Sequence, residues 1–136
     1  TFTGLPSWAK RITVNFVGVS QSGTTQMEVR LGTSGGVVST GYSSGASSGL
    51  SAIGSTSSTT GFRIKNNVAT DDINGSMVIS NQTGNVWVCS YSMTGTNGAF
   101  YIGGGSIALA SALTQVQIAP NSADTFDAGS INILYE

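Results

Sequence analysis

Apolar and polar positions alternate in short runs along most of this chain, with the period of two that marks a half-buried strand. From Lys10 to Val19, Ile12, Val14 and Phe16 fall on one face, and Arg11, Thr13, Asn15 and Val17 on the other. From Gln26 to Leu31, Met27, Val29 and Leu31 point inward and Gln26, Glu28 and Arg30 outward. The Gln21-Ser22-Gly23-Thr24 turn between the two runs predicts a hairpin. Short strands are also expected at Val37-Val38, at Gly61 to Lys65, at Ser76 to Ser80, and at Ala99 to Ile102 before a Gly103-Gly104-Gly105 break. Two more follow at Ser106 to Leu109 and Leu113 to Ile118. Asn81 to Asn85 and Thr94 to Gly98 read as turns, and Asn66 to Gly75 as a loop. Ala108 to Leu113 is the single place where a helical turn fits.

Three stretches depart from simple alternation. Val86 to Met93 is apolar on both faces, with Val86 and Val88 on one and Trp87, Cys89, Tyr91 and Met93 on the other. A strand of that kind is covered on both sides. One cover is an opposite sheet; the other is a loop or a second subunit, which makes Trp87, Tyr91 and Met93 candidates for an oligomer interface. Thr33 to Thr60 is nearly all Gly, Ser, Thr and Ala. Neither flank is large enough to be a separate domain, so this is no interdomain linker. It reads as a weak edge strand and a long surface loop, pinned by Leu50 and Ile53. Lastly, Ser130 to Glu136 is a terminal strand with Ile131, Ile133 and Tyr135 on one face. Such a strand stays ordered by pairing, and the run Lys10 to Val19 is its natural partner, so the two ends meet in one sheet. Together these make about eight to ten short strands in one domain spanning residues 1–136, an antiparallel sandwich of two sheets.

Composition narrows what such a domain does. Only 8% of residues are charged and the net charge is −1, against roughly 25% charged in an ordinary soluble domain. That leaves no electrostatic footprint for nucleic acid or anionic lipid. A surface so poor in charge is hidden in an oligomer or kept wet by hydroxyls and amides; both are expected here. No apolar run approaches the roughly 20 residues of a membrane helix, so no membrane insertion is expected. The sequence starts at Thr1, without an initiator methionine, and reads as the C-terminal part of a longer chain.

Histidine is absent. Ser-His-Asp and Cys-His nucleophiles go with it, as does the commonest zinc ligand. Cys89 is the single cysteine and sits among large apolar neighbours, an inert buried thiol. Asp71 with Asp72, or Asp124 with Asp127, are the acidic pairs that could serve a glycosidase or hold a hard cation. Asx-turns explain them more economically, and no metal, cofactor or catalytic residue is assigned. The Asn74 and Asn81 glycosylation patterns are taken as chance. Among the aromatics, Tyr42 in the glycine-rich stretch and Phe100-Tyr101 beside a turn are the candidates for an accessible binding surface.

Two segments carry a resemblance. Leu5-Pro6-Ser7-Trp8-Ala9-Lys10-Arg11-Ile12-Thr13-Val14-Asn15-Phe16-Val17-Gly18-Val19-Ser20 resembles the opening of a domain at the C-terminal end of bacteriophage tail-fibre proteins. Leu113 to Ile118, with Asp124 through the final Asn-Ile-Leu-Tyr-Glu, resembles its end. About a quarter of the chain is covered, and the terminal block is the more specific part. The resemblance implies a β-sandwich at the distal end of the virion's fibre, assembled as a homotrimer. It implies attachment to a bacterial cell-surface polysaccharide or outer-membrane receptor through surface loops. It brings no catalytic motif. A structural cap that only trimerises the fibre, and a capsule-degrading hydrolase, are the alternatives.

Overall fold

A computed structural model describes residues 1–64 and 68–136; Lys65, expected to end a strand, and Asn66 and Asn67, expected to open a loop, lie outside them. Among the described residues there is no helix, and Ala108 to Leu113 runs as strand end and loop. The strands are β1 (Phe2–Thr3), β2 (Arg11–Gln21), β3 (Met27–Thr33), β4 (Gly36–Val37), β5 (Ser43–Gly49), β6 (Ile53–Ser58), β7 (Phe62–Ile64), β8 (Ile73–Thr83), β9 (Val86–Gly95), β10 (Phe100–Ala108), β11 (Gln115–Pro120) and β12 (Phe126–Tyr135). They form two antiparallel sheets that pack as a sandwich. The larger runs β12-β2-β8-β9-β10-β5-β6; the smaller runs β1-β11-β3-β4, with β7 also on β3.

The ends of the chain do meet. β12 lies along β2 with Ile131 opposite Phe16, Ile133 opposite Val14 and Tyr135 opposite Ile12, and Glu136 and Arg11 exchange both backbone hydrogen bonds at 2.9 Å. The ladder bends at Gly18 and Gly129, which take φ of +61° and +83°. A Cβ on Gly129 would lie 2.2 Å from the Gly18 carbonyl, so this bulge requires glycine.

The expected hairpin does not form. β2 pairs with β12 and β8, whereas β3 pairs with β11, β4 and β7 in the other sheet. The Ser22–Gln26 turn crosses the sandwich and carries the chain from the larger sheet to the smaller. The core lies between Ile12, Val14, Phe16, Met77, Ile79, Met93 and Tyr101 of the larger sheet and Met27, Val29, Leu31, Phe62, Ile64 and Val116 of the smaller.

The Gly/Ser stretch is not a long loop. β5 and β6 form a regular hairpin, Ser44 opposite Ser58 through Gly49 opposite Ile53, and β5 extends the sheet from β10. Leu50 and Ile53, expected to pin that stretch, are exposed instead, Ile53 at 77%. Nor do Gly103 to Gly105 break the chain: β10 runs straight through them. Their hydrogens face backbone and side chains that leave no room for more. A Cβ on Gly105 would stand 2.2 Å from the Ser43 carbonyl, and one on Gly103 2.4 Å from the Tyr91 hydroxyl.

Candidate functional site

Register fixes what each face of the larger sheet displays. One row crosses all seven strands on the inner side: Ile133, Val14, Met77, Tyr91, Gly103, Ala46 and Thr56. The next row, one residue along each strand, faces outward. It runs from Asn132 through Asn15, Ser76 and Ser92 to Ile102, Ser47 and Ser55. The outward row on the other side of the inner one is Leu134, Thr13, Val78, Ser90, Gly104, Gly45 and Ser57. No ionisable side chain occurs in either outer row. Strands about 4.8 Å apart make this face roughly 30 Å wide. It offers hydroxyls, amides and glycine backbone, interrupted by Val78, Ile102 and Leu134. Beside these rows, Val88 adds an exposed valine (40%).

The face ends at the β5–β6 hairpin, where two depressions lie. One, of about 520 Å³, is bounded by Gly45, Ser47, Ser55, Thr56, Tyr91 and Ile102 among others. The second, of about 360 Å³, is bounded by Tyr42, Ser43, Ser44 and Ser57 to Thr59. Small side chains on β5 and β6 leave this end of the sheet low.

Beneath the second depression is the one strongly charged cluster among the described residues. Glu28 lies on the outward side of β3, as alternation predicts, yet it is fully buried. The segment from Ser58 to Gly61 straps across it, and a Cβ on Gly61 would be 2.9 Å from the Glu28 Cβ. Arg63 Nη2 donates to Glu28 Oε1 at 2.5 Å and Arg30 Nη2 to Oε2 at 2.6 Å. Ser58 Oγ and Thr60 Oγ1 add hydrogen bonds of 2.6 and 2.9 Å to Oε1. Burial on its own would raise the Glu28 pKa. The donors from Ser58, Arg63, Arg30 and Thr60 outweigh it and hold the carboxyl below its ordinary 4.5. A carboxylate so fully engaged is a clamp, not a base.

The aromatic candidates are redistributed. Tyr42 is buried: its hydroxyl receives the Leu31 N–H at 2.7 Å, and its ring meets Phe62 edge-on at 5.1 Å. Desolvation pushes its pKa up to about 12. Tyr101 is fully buried and donates to the Asp71 carboxylate; burial first, then that carboxylate, raise its pKa. Neither is an accessible binding residue, because both rings fill the gap between the sheets. Phe100 stays half-exposed at the rim, its ring over Gly49.

Trp87, Tyr91 and Met93 are not a subunit interface either. All three are buried within one chain, since their side of β9 is the one the smaller sheet covers. The strand is apolar on both sides as expected, but the uncovered side is that of Val88. Tyr91 donates to the Arg63 carbonyl at 2.6 Å, and Ser44 Oγ accepts the Arg63 N–H at 2.9 Å. Two hydroxyls from the larger sheet thus satisfy the free edge of β7. Burial lifts the Cys89 thiol to about 12, which suits an inert side chain.

The acidic pairs take separate partners rather than a common ligand. Asp124 Oδ2 accepts from Thr25 N at 3.0 Å and Thr25 Oγ1 at 2.5 Å, hydrogen bonds that hold its carboxyl below the ordinary value. Asp127 accepts from Ser20 Oγ at 2.6 Å. Asp71 accepts from Tyr101 and from Asn97 N. These join distant segments and are not Asx-turns. Among the described residues no three His, Cys, Asp or Glu gather as a metal site. Asn74 and Asn81 spend their amides on backbone groups.

The outer rows had a signal in the sequence, the long Ser/Gly stretch, but it reads as loop. The Glu28 clamp had none, since all of its partners but Arg30 come from residues 58 to 63. No family model, no curated protein and no solved structure matches the chain. Among the described residues, no helix is long and apolar enough to cross a membrane.

Proposed function

We propose that this domain is the attachment module at the distal end of a bacteriophage tail fibre. It works as a homotrimer and grips an uncharged glycan, or an outer-membrane component of similar chemistry, on the bacterial surface. The observation that carries this reading is the outer face of the larger sheet. A broad, rigid surface of hydroxyls, amides and exposed backbone, with isolated aliphatic side chains, is matched to a neutral polyhydroxylated ligand. It is mismatched to an acidic or basic one. The segments that carry the resemblance support it from another side. They build β12 and β2, at one edge of the larger sheet, and β11 within the smaller sheet. β5, β6 and β10, which form the other half of the face, are free to differ with the receptor.

The test is binding of the purified domain to a panel of Gram-negative strains, with competition by their purified neutral polysaccharides. Ser90→Glu and Ser92→Glu, both on the exposed face of β9, are expected to lower cell binding at least tenfold while leaving the melting temperature within a degree or two. Full binding by both variants would remove the face from the reading. A trimer that binds no strain would favour a structural cap.

A further inference from the structure

Six of the nine exposed large apolar side chains among the described residues lie at the two opposite edges of the larger sheet. Trp8, Val17, Leu134 and Tyr135 stand at the β12–β2 edge, where the Trp8 and Tyr135 rings meet at 5.8 Å. Leu50 and Ile53 stand at the β6–β5 edge, with Ile102 and half-buried Phe100 behind them on β10. Isolated apolar side chains on a surface need no explanation; two clusters at opposite ends of one sheet do.

The two edges are suited to each other. All neighbours in the sheet are antiparallel and there are seven strands, so β12 and β6 run in the same direction. A rotation about an axis along the strands keeps that direction, and sets β12 of one copy beside β6 of the next without shifting either along its length. Levels also agree. Following the register across the sheet, Asn132 lies in the row of Ser55 and Leu134 in the row of Ser57. Charge does not oppose the contact: the β12 edge has its one close pair, Arg11 and Glu136, neutralising each other at 4.0 Å. β12 is only partly protected as an edge. Arg11 and Glu136 are hydrogen-bonded to each other, so alternation turns the backbone groups of Ile131, Ile133 and Tyr135 outward. Asn132 Oδ1 accepts the Ile133 N–H at 2.8 Å, which leaves the outward groups of Ile131 and Tyr135 to a partner strand. No proline or charge falls from Ala128 to Tyr135 to blunt them.

Area is sufficient. The exposed parts of these six side chains, scaled from the roughly 150–250 Å² of a large side chain, come to about 700 Å² of apolar surface over the two edges. The flanking Ser, Asn and backbone raise the contact into the roughly 1,200–2,000 Å² range of specific interfaces.

We infer that the β12–β2 edge of one copy docks against the β6–β5 edge of a second copy, head to tail. Because the two surfaces differ, the contact is heterologous; repeated by a three-fold rotation, it closes as a ring of three. The inference rests on the trimeric assembly proposed above and names its contact; it takes up the two margins of the outer face, with Leu134 and Ile53, and leaves the central strands β8, β9 and β10 for the receptor.

Paired cysteines test it. The variant with both Asn132→Cys and Ser55→Cys, oxidised and run without reductant, is expected to give a covalent trimer. Each single variant should stay a monomer band, and Cys89 is too buried to interfere. Leu134→Asp and Ile53→Asp, each exposed and neutral to folding by circular dichroism, should each abolish assembly. Mixed together they should form a 1:1 heterodimer, since each keeps the surface the other has lost. Dimers from Asn132→Cys alone would mean edge-to-like-edge pairing and overturn the inference. So would a trimer, seen by light scattering, in which the double variant does not cross-link; the trimeric reading would then survive. A monomer at about 100 µM would remove the contact and the trimer together, while cell binding would still decide the attachment role.

Discussion

Removing the Glu28 carboxylate would leave the Arg30 and Arg63 guanidinium groups facing one another under the Ser58–Gly61 strap. Both arginines are largely buried, with side chains 18% and 14% exposed. Breaking such a pair from one side costs about 3–5 kcal/mol, mostly the penalty of charge left uncompensated. Glu28→Ala should therefore lower the denaturant midpoint with the slope unchanged, and lower the melting temperature by on the order of 10 °C. A loss below about 1 kcal/mol would show that the arginines simply swing into solvent. The same carboxylate sets an acid dependence. Its folded pKa lies below its ordinary 4.5, so its contribution is complete at neutral pH and is lost as pH falls from about 4.5 through the folded value. Glu28→Gln should start less stable at pH 7 and fall less steeply below pH 4.5 than the natural chain. Equal acid limbs in urea titrations at pH 3 to 7 would refute this. Alternation placed Glu28 on the outward side correctly. The strap that buries it was illegible, because it comes from a Ser/Thr/Gly segment with no apolar pattern.

At the scale of strands, the legible elements were those with strong alternation. β2, β3 and β12 were read with the right faces; β9 was read as apolar on both, with its buried side assigned to a subunit interface. Pairing was harder. The ends of β2 and β12 were matched correctly through their apolar faces, whereas β2 and β3 were joined by a short turn that instead crosses the sandwich. Proximity in sequence competes with apolar partners far away, and here the distant partners won. β5 and β6 were missed because Ser, Gly and Ala give no contrast between faces; their register comes from backbone pairing to β10. The faces of β9 were legible as apolar, but only the fold decides which one is covered. The same seam yields a prediction. Gly103 leaves space for the Tyr91 ring to pass and for its hydroxyl to reach the Arg63 carbonyl on β7. Tyr91→Phe leaves that buried carbonyl without its donor and should cost roughly 1–3 kcal/mol. Gly103→Ala displaces the ring and should cost about as much by overpacking. Because both act on one contact, the double variant should lose clearly less than the sum, a coupling of at least about 0.5 kcal/mol in a double-mutant cycle. Additive losses would mean that the glycine and the tyrosine serve separate purposes.

For the whole molecule, scarce charge is the property that ties the fold to the proposed assembly and receptor. A core made by two sheets consumes the strongly apolar residues. What remains on the larger sheet is neutral and polar across the middle of its face, and aliphatic and aromatic at its edges, where Arg11 and Glu136 form an exposed ion pair. Neither kind of surface draws its affinity from ionic attraction, so neither should respond much to salt. Charged interfaces weaken steeply as ionic strength rises, since the screening length falls from roughly 10 Å at 0.1 M to about 3 Å at 1 M. For this domain, both trimer dissociation and cell binding should change by less than about twofold between 50 and 500 mM sodium chloride. Heat-capacity change separates the two surfaces further. Assembly through apolar edges should carry a clearly negative change, while engagement of a hydroxylated glycan by the sheet face should be enthalpic, with a small one. Titration calorimetry at three temperatures, on the assembled domain with polysaccharide and on its dilution-driven dissociation, measures both. A tenfold loss of cell binding at high salt would point to charged groups as the grip. Glu28, Asp71, Arg30 and Arg63 are spent inside the domain, so the contact would then have to involve exposed groups such as Lys10, Arg11, Asp127 or Glu136, away from the two uncharged rows of the larger sheet.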